Sequence, residues 1–308
     1  MTPPRTEVAS LFEGLSAFPL TPADADGRVD TGALARLLER LVEAGVASIG
    51  LLGSTGIYPY LERPERRRVV AAAVEAVAGR TPLIVGIGAL RTDWTLELAR
   101  DADTLGAEGL LLAPVSYAPL KPEEAFFHYE TVAGATGRPI CIYNNPGTTH
   151  FHFTDDLLAR LAHLPRMAAV KMPLPKDGDV AGELARLRPL TPPSFRIGYS
   201  ADWGTGAALL AGADAFYSGI AGVLPKPMLA LARAAQAGEA GKVDALNAAF
   251  EPLWTLCKAH GGMRVSYAIA GLLGLKAGAP PLPIQPLSGA VLEDLAKALD
   301  ALKNTPFS

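Results

Sequence analysis

Three short runs in this 308-residue chain hold side chains that could do chemistry together. MAAVKMP, residues 167–173, is an apolar run with the pattern of a buried strand, and Lys171 sits near its carboxyl end. The other lysines lie in segments that read as helix or loop, where an ammonium stays hydrated. Taking an amine out of water disfavours its charged form when no carboxylate compensates, and VKMP supplies none locally. A neutral amine in a partly apolar pocket is the nucleophile that forms a Schiff base with a ketone or 2-oxo acid. PICIYNN, 139–145, is a second strand-like run that brings the phenol of Tyr143 to its end. Beside an amine, a phenol can shuttle protons during carbinolamine formation and C–C cleavage. GSTG, 53–56, offers N–H groups and two hydroxyls ahead of a helix, a nest suited to a carboxylate. Each run also has a plain structural reading. Lys171 could pair with an acid from another strand or snorkel to a rim, and GSTG could be a tight turn with a cap.

Such side chains act together only if the fold gathers them. Strand-like segments at 14–20, 46–54, 82–88, 108–114, 139–145, 167–173, 195–200 and 214–220 are mostly continuous apolar runs, which suit strands buried on both faces. Between them lie amphipathic patterns such as 31–45, 63–79, 95–106 and 155–164, several closed by Gly, with Thr154 placed as a cap before Asp155 and Asp156. Strand then helix, repeated around the chain, predicts an α/β fold of the (β/α)8 TIM-barrel type. Beyond residue 224 the pattern is helical to about residue 303, interrupted by a Pro-rich connection at 279–289. Barrel strands and connecting helices are therefore expected over 1–224, and the last barrel helix with a small C-terminal helical addition over 225–308. An open doubly wound sheet fits less well, because GIGAL (86–90) lacks the third glycine of a dinucleotide fingerprint.

Barrel enzymes carry their chemistry at the carboxyl ends of the strands. The polar residues there are Gly53–Gly56, Tyr143–Pro146, Lys171, Tyr199, Ser200, Ser218 and Gly219. Strands five and six should be neighbours about 4.8 Å apart, which puts Tyr143 and Lys171 within reach of one ligand.

Composition narrows the partners. A formal net charge of −3, with Lys and Arg scattered among Asp and Glu, gives no basic stripe for a phosphate backbone, so nucleic acid is not expected. No basic start followed by an apolar signal core opens the chain, and no run of about 18 apolar residues occurs, so no membrane partner is expected and the location is read as cytoplasmic. Cys141 and Cys257 form neither a disulfide framework nor a zinc spacing and read as buried thiols. His150 and His152 form an H-x-H pair beyond strand five, but a barrel metal site needs further ligands at other strand ends, and His128, His163 and His260 do not fall there. Trp94, Trp203 and Trp254, with Phe126, Phe127 and Tyr129, read as packing residues on helices.

GSTGIYPYLERPER (53–66), YNNPGTT (143–149) and VKMP (170–173), in this order and spacing, resemble the motifs of the dihydrodipicolinate synthase and N-acetylneuraminate lyase family of pyruvate-dependent class I aldolases. The resemblance runs from about residue 13 to the C-terminal helices. It implies that Lys171 forms the imine with a 2-oxo acid, usually pyruvate, that Tyr143 is the proton-transfer phenol, and that Ser54 is the hydroxyl in its relay. It further implies that Thr55, with its backbone N–H, holds the ketoacid carboxylate, and that Ser200 and Ser218 line the pocket, although small residues filling the rim would look the same. No metal or organic cofactor is implied, because the protonated imine is the electron sink. A homodimer or homotetramer is.

Departures from the family pattern concern the second substrate. Thr148 stands where the synthases carry an arginine for a second carboxylate, which sets the expected acceptor apart from aspartate semialdehyde. The phenol that synthases commonly supply across a dimer interface should fall at Ser116, and the nearest tyrosine is Tyr117. Ile57 stands where an acid usually follows the loop glycine, with Glu62 the nearest substitute. Asp202, at the head of a helix pattern, reads as a cap. The expected function is a Schiff-base aldolase or lyase acting on a 2-oxo acid and an aldehyde. Sugar-acid aldolase, N-acetylneuraminate lyase and 2-oxo-acid dehydratase activities would share the same residues, and a non-catalytic ketoacid-binding sensor would keep Ser54 and Thr55.

Overall fold

The computed structural model describes residues 11–303 and residue 305; residues 1–10, where no signal segment is expected, lie outside them. The strands are β1 (Gly14–Ala17), β2 (Ser48–Leu51), β3 (Leu83–Gly86), β4 (Gly109–Leu112), β5 (Ile140–Tyr143), β6 (Met167–Met172), β7 (Arg196–Tyr199) and β8 (Ala215–Ser218). All pair in parallel with their sequence neighbours, and β8 pairs with β1, so the sheet closes as a barrel. Each is followed by a helix: α1 (Thr31–Ala44), α2 (Arg63–Val77), α3 (Thr92–Leu105), α4 (Pro122–Ala135), α5 (Asp155–Ala162), α6 (Val180–Leu187), α7 (Thr205–Leu210) and α8 (Pro225–Gln236). The fold is the expected TIM barrel. Three further helices follow, α9 (Ala240–His260), α10 (Gly262–Leu272) and α11 (Ala290–Lys303). Among the described residues no helix is long and apolar enough to cross a membrane.

Local chemistry explains the outer ring. The Asp30 carboxylate accepts from the Ala33 N–H at 2.8 Å and starts α1, and Gly45, at φ 78°, closes it in the left-handed region. Between these ends Leu34, Leu37, Leu38 and Leu41 recur at helical spacing and are buried against the sheet. Each such leucine contributes about 1.5–3 kcal/mol by leaving water. Thr154 caps α5 by accepting from the Leu157 N–H at 3.2 Å, as its position suggests. The first addition helix, α9, docks on α7 where a Cβ on Gly206 would lie 2.5 Å from Val243, so only a glycine permits this approach.

Not every helix aromatic packs inward. Trp254 and Tyr129 are buried, Trp254 stacking on Phe250 at 4.7 Å, and both cysteines are buried and free. Trp94, Trp203 and Phe127 stand largely exposed, contrary to a packing role. Trp94 and Phe127 face outward on their helices and Trp203 lies in the 3-10 turn Asp202–Gly204 after β7, and Trp94 and Trp203 are partly covered by the cations of Arg91 and Lys258.

The barrel interior is a separate small core that includes Phe18, Ile84, Leu111, Cys141, Tyr143, Ala169 and Tyr217. Its register is set by a bulge. Ile140 pairs with Met167, but Cys141 pairs with Ala169, so one extra β6 residue, Ala168, is accommodated. Because side chains alternate, that insertion flips the faces of all later β6 residues. Tyr143 then lies opposite Lys171 rather than Val170.

Candidate active site

Lys171 ends up inside the barrel at its carboxyl end, flanked in register by Tyr143 on β5 and Gly198 on β7. It is 5% exposed. Its Nζ has no ion-pair or hydrogen-bond partner among the described residues. It lies 3.9 Å from the centre of the Phe18 ring, 4.4 Å from that of Tyr143 and 5.7 Å from that of Tyr217. Ring faces attract a cation but have no proton to donate to a nitrogen lone pair. Glycines make room for them. A Cβ on Gly50 or Gly53 would fall 2.3 or 2.5 Å from Phe18 ring atoms, and one on Gly198 would fall 2.6 Å from Tyr217. Below, Cys141 lies 3.6 Å from the Tyr217 hydroxyl, and burial pushes its thiol up to about 12 against the opposing effects of Tyr217 and Lys171.

The Tyr143 hydroxyl is 3.2 Å from Ser54 Oγ, and either can donate. Asn145, two residues beyond Tyr143 and so on the same side of the strand, donates from Nδ2 to the Tyr143 oxygen at 2.9 Å. The Ser54 loop is held between two non-glycine residues in the left-handed region, Leu52 at φ 54° and Ile57 at φ 53°. A β-branched residue there is strained by about 1–3 kcal/mol and persists only where its surroundings impose it. Within the loop, Thr55 Oγ1 comes so near Gly219 that a Cβ on that glycine would lie 2.8 Å from it. This contact joins the β2 loop to the end of β8. The Tyr58 ring, also buried, lies under the Arg66 guanidinium at 5.5 Å. Burial and Tyr143 raise the Tyr58 phenol above its ordinary range, with Arg66 opposing.

Other expected residues are placed less directly. Ser218 donates to Asp202 Oδ1, which also accepts the Ile220 N–H at 3.1 Å. Asp202 therefore caps the turn after β8 rather than its own helix, because the preceding Ala201, at φ 82°, turns its side chain across the mouth. Burial pushes its carboxyl up, while Ser218, the Ile220 N–H and Lys171 oppose. Ser200 donates to the Met172 carbonyl at 3.1 Å, and Thr148 donates to the Asn145 carbonyl at 3.3 Å within its own turn. Tyr117 is 99% exposed and, among the described residues, meets no group by hydrogen bond or ring contact. His150 and His152 are exposed, and among the described residues no three His, Cys, Asp or Glu side chains gather as metal ligands.

The sequence points to none of Phe18, Gly50 and Gly198, and it places Asn145 at a strand end without a role. Asn145 carried a signal, its two-residue offset from Tyr143. Phe18 carried none beyond its place in an apolar run.

A sequence model described as the dihydrodipicolinate synthetase family matches residues 11–302. The chain is 33% identical over 297 residues to 4-hydroxy-tetrahydrodipicolinate synthase 2 of Streptomyces coelicolor, covering 96% of each. Its structure superposes with a TM-score of 0.95 on the crystal structure of dihydrodipicolinate synthase from Agrobacterium tumefaciens, at 56% identity, over 96% of this chain and 100% of that one. The TM-score is 0.86, at 28% identity over 95% and 99% of the two chains, for the dihydrodipicolinate synthase of Acinetobacter baumannii solved with pyruvate.

Proposed function

The chain belongs to the dihydrodipicolinate synthetase family, pyruvate-dependent class I lyases that work through a lysine Schiff base, and we propose that Lys171 is that lysine. The observation that carries this reading is a buried amine with no acid or acceptor on it, beside a phenol hydrogen-bonded to Ser54. Thr55 and its loop N–H groups receive the carboxylate of the 2-oxo acid. That places the carbonyl carbon against Nζ. Attack leaves a proton on nitrogen and a negative charge on oxygen, and Tyr143 relays that proton from nitrogen to oxygen to give the neutral carbinolamine. Tyr143 then donates its proton to the carbinolamine oxygen, the C–O bond breaks, the nitrogen lone pair closes the C=N bond, and water leaves with a phenolate behind. The phenolate removes a proton from C3 of the iminium, the C–H pair becomes the enamine double bond, and the nitrogen recovers its lone pair. The enamine adds to an aldehyde, and the reverse sequence cleaves a longer 2-oxo acid. Ser54 exchanges protons with Tyr143 between turnovers.

Treating the protein with pyruvate and borohydride, followed by peptide mass analysis, should find the reduced adduct on Lys171. An adduct elsewhere, or none, removes the proposal. The acceptor is an aldehyde other than aspartate semialdehyde. Thr148 is exposed, is bonded into its own turn and cannot make the bidentate contact an arginine makes. A panel of aspartate semialdehyde, N-acetylmannosamine, glyceraldehyde and succinic semialdehyde should show the first to be a poor acceptor; rapid turnover of it would refute the assignment. The working assembly is a homodimer or homotetramer. Leu90 and Phe127 stand exposed around a groove also lined by Val115 and Leu120, on either side of Tyr117 in the chain, a surface suited to a second copy and testable by sedimentation.

A further inference from the structure

We infer that Asn145 is a positioning residue that fixes the direction in which the Tyr143 proton travels. The inference rests on the Schiff-base reading above and adds a residue to it. A phenol oxygen has one proton to give and lone pairs to receive, whereas an amide nitrogen can only donate. With the Asn145 Nδ2 donating to the Tyr143 oxygen at 2.9 Å, one receiving position is filled. Ser54 Oγ, at 3.2 Å, is the other neighbour of that oxygen. The phenol is left with one direction open, toward the substrate, where it delivers its proton to the carbinolamine oxygen and takes one back from C3, while Ser54 exchanges protons with it between turnovers. When the proton has gone, the phenolate keeps the amide hydrogen bond, which strengthens once its acceptor is charged. That gain exists after proton transfer and not before it, so it acts on the rate.

The backbone holds the amide in place. The Asn145 carbonyl accepts the Thr148 and Thr149 N–H groups, each at 3.0 Å, and both threonine hydroxyls as well. The turn Pro146–Thr149 thereby anchors the residue whose side chain reaches back to Tyr143. Pro146 prevents the strand from continuing past this point. Nothing in this geometry requires the aldehyde, so the effect belongs to the half of the reaction shared by all 2-oxo acids.

Pyruvate alone in D2O tests it, because enamine formation exchanges the C3 hydrogens and proton NMR reads the rate. Asn145→Val, a smaller apolar side chain without the donor, should slow exchange about 10- to 100-fold and leave the pyruvate KM within about twofold. Asn145→Asp should slow it further, because a carboxylate accepts the Tyr143 proton and withdraws it from the substrate. In a Tyr143→Phe background, Asn145→Val should cost nothing more. The borohydride adduct on Lys171 should still form in both single variants. An unchanged exchange rate in Asn145→Val, a raised KM with unchanged kcat, or an equal loss in the Tyr143→Phe background overturns the inference while leaving the Schiff base standing. Absence of the adduct from the unaltered protein overturns both.

Discussion

Two basic side chains meet burial differently in this barrel. Lys171 and Arg66 are 5% and 6% exposed, and among the described residues neither meets a carboxylate. Arg66, on α2, donates to the Gly88 carbonyl at 3.1 Å and the Gly86 carbonyl at 2.7 Å, and its guanidinium lies over Tyr58. Burial pushes it down to about 10, with Tyr58 opposing, so it stays charged at neutral pH. Lys171 has ring faces and, among the described residues, no acceptor. The first arrangement is a strut: a cation whose donors satisfy backbone groups at the end of β3. The second leaves an amine with nothing holding its lone pair. Elsewhere charge is simply paired, as where Arg63 and Arg67 both meet Asp101. Burial alone does not mark a reactive lysine; burial without an acceptor does.

The sharpest way to break this contrast is to remove each cation in turn. Lys171→Met should abolish imine formation, lowering turnover by about a thousandfold or more. It should leave the melting temperature unchanged or raised, because the lost amine had no polar partner. Arg66→Met should do the reverse. Two carbonyls lose their donors and unfolding becomes easier by about 3–5 kcal/mol, while any folded protein still traps pyruvate. A Lys171→Met protein destabilised as much as Arg66→Met would mean that the lysine is a strut too.

His128 extends the comparison to a buried base that gives up its proton. Its Nδ1 pairs with Thr92 Oγ1 at 2.9 Å, its Nε2 has no partner among the described residues, and burial pushes it down to about 4 from 6.5. Between those two values the unfolded chain binds a proton that the folded chain does not. Stability is therefore fully present above pH 6.5, falls as the pH drops toward 4, and changes no further below it. The loss is about 3 kcal/mol. Denaturant titrations across that range should show this slope flattened in His128→Gln. An identical slope in the variant would assign the acid sensitivity to other groups.

The sequence carries the barrel almost whole, because every strand is an apolar run and every barrel helix has a buried stripe. It also brings Tyr143 and Lys171 to neighbouring strand ends. What it does not carry is how they meet. The extra residue at Ala168 is invisible in an unbroken apolar run, yet it decides whether Lys171 or Val170 faces Tyr143. Phe18 is equally hidden. Its ring reaches the lysine only because Gly50 and Gly53 yield the space, and no local pattern links residues so far apart. Asp202 misleads for a related reason: position suggests its own helix, but the left-handed Ala201 sends it to the turn after β8.

The smallest expected effect separates ring faces from mere packing at Lys171. Phe18→Leu keeps an apolar side chain against Gly50 and Gly53 but removes the quadrupole 3.9 Å from Nζ, worth about 0.5–2 kcal/mol to a cation. An ammonium, which must shed a proton before its nitrogen can attack, and a protonated imine carry the same charge, so the ring favours both alike and cancels from the overall equilibrium between them. The enamine is neutral and receives no such help. Removing the ring should therefore leave the pyruvate KM within about twofold and speed C3 exchange about two- to tenfold, as the barrier to the neutral intermediate falls. Slower exchange with a raised KM would mean that Phe18 only walls the pocket. Arg66 offers the control: it keeps its charge throughout turnover, so loss of its ring contact in Tyr58→Leu should leave the partition between imine and enamine where it was.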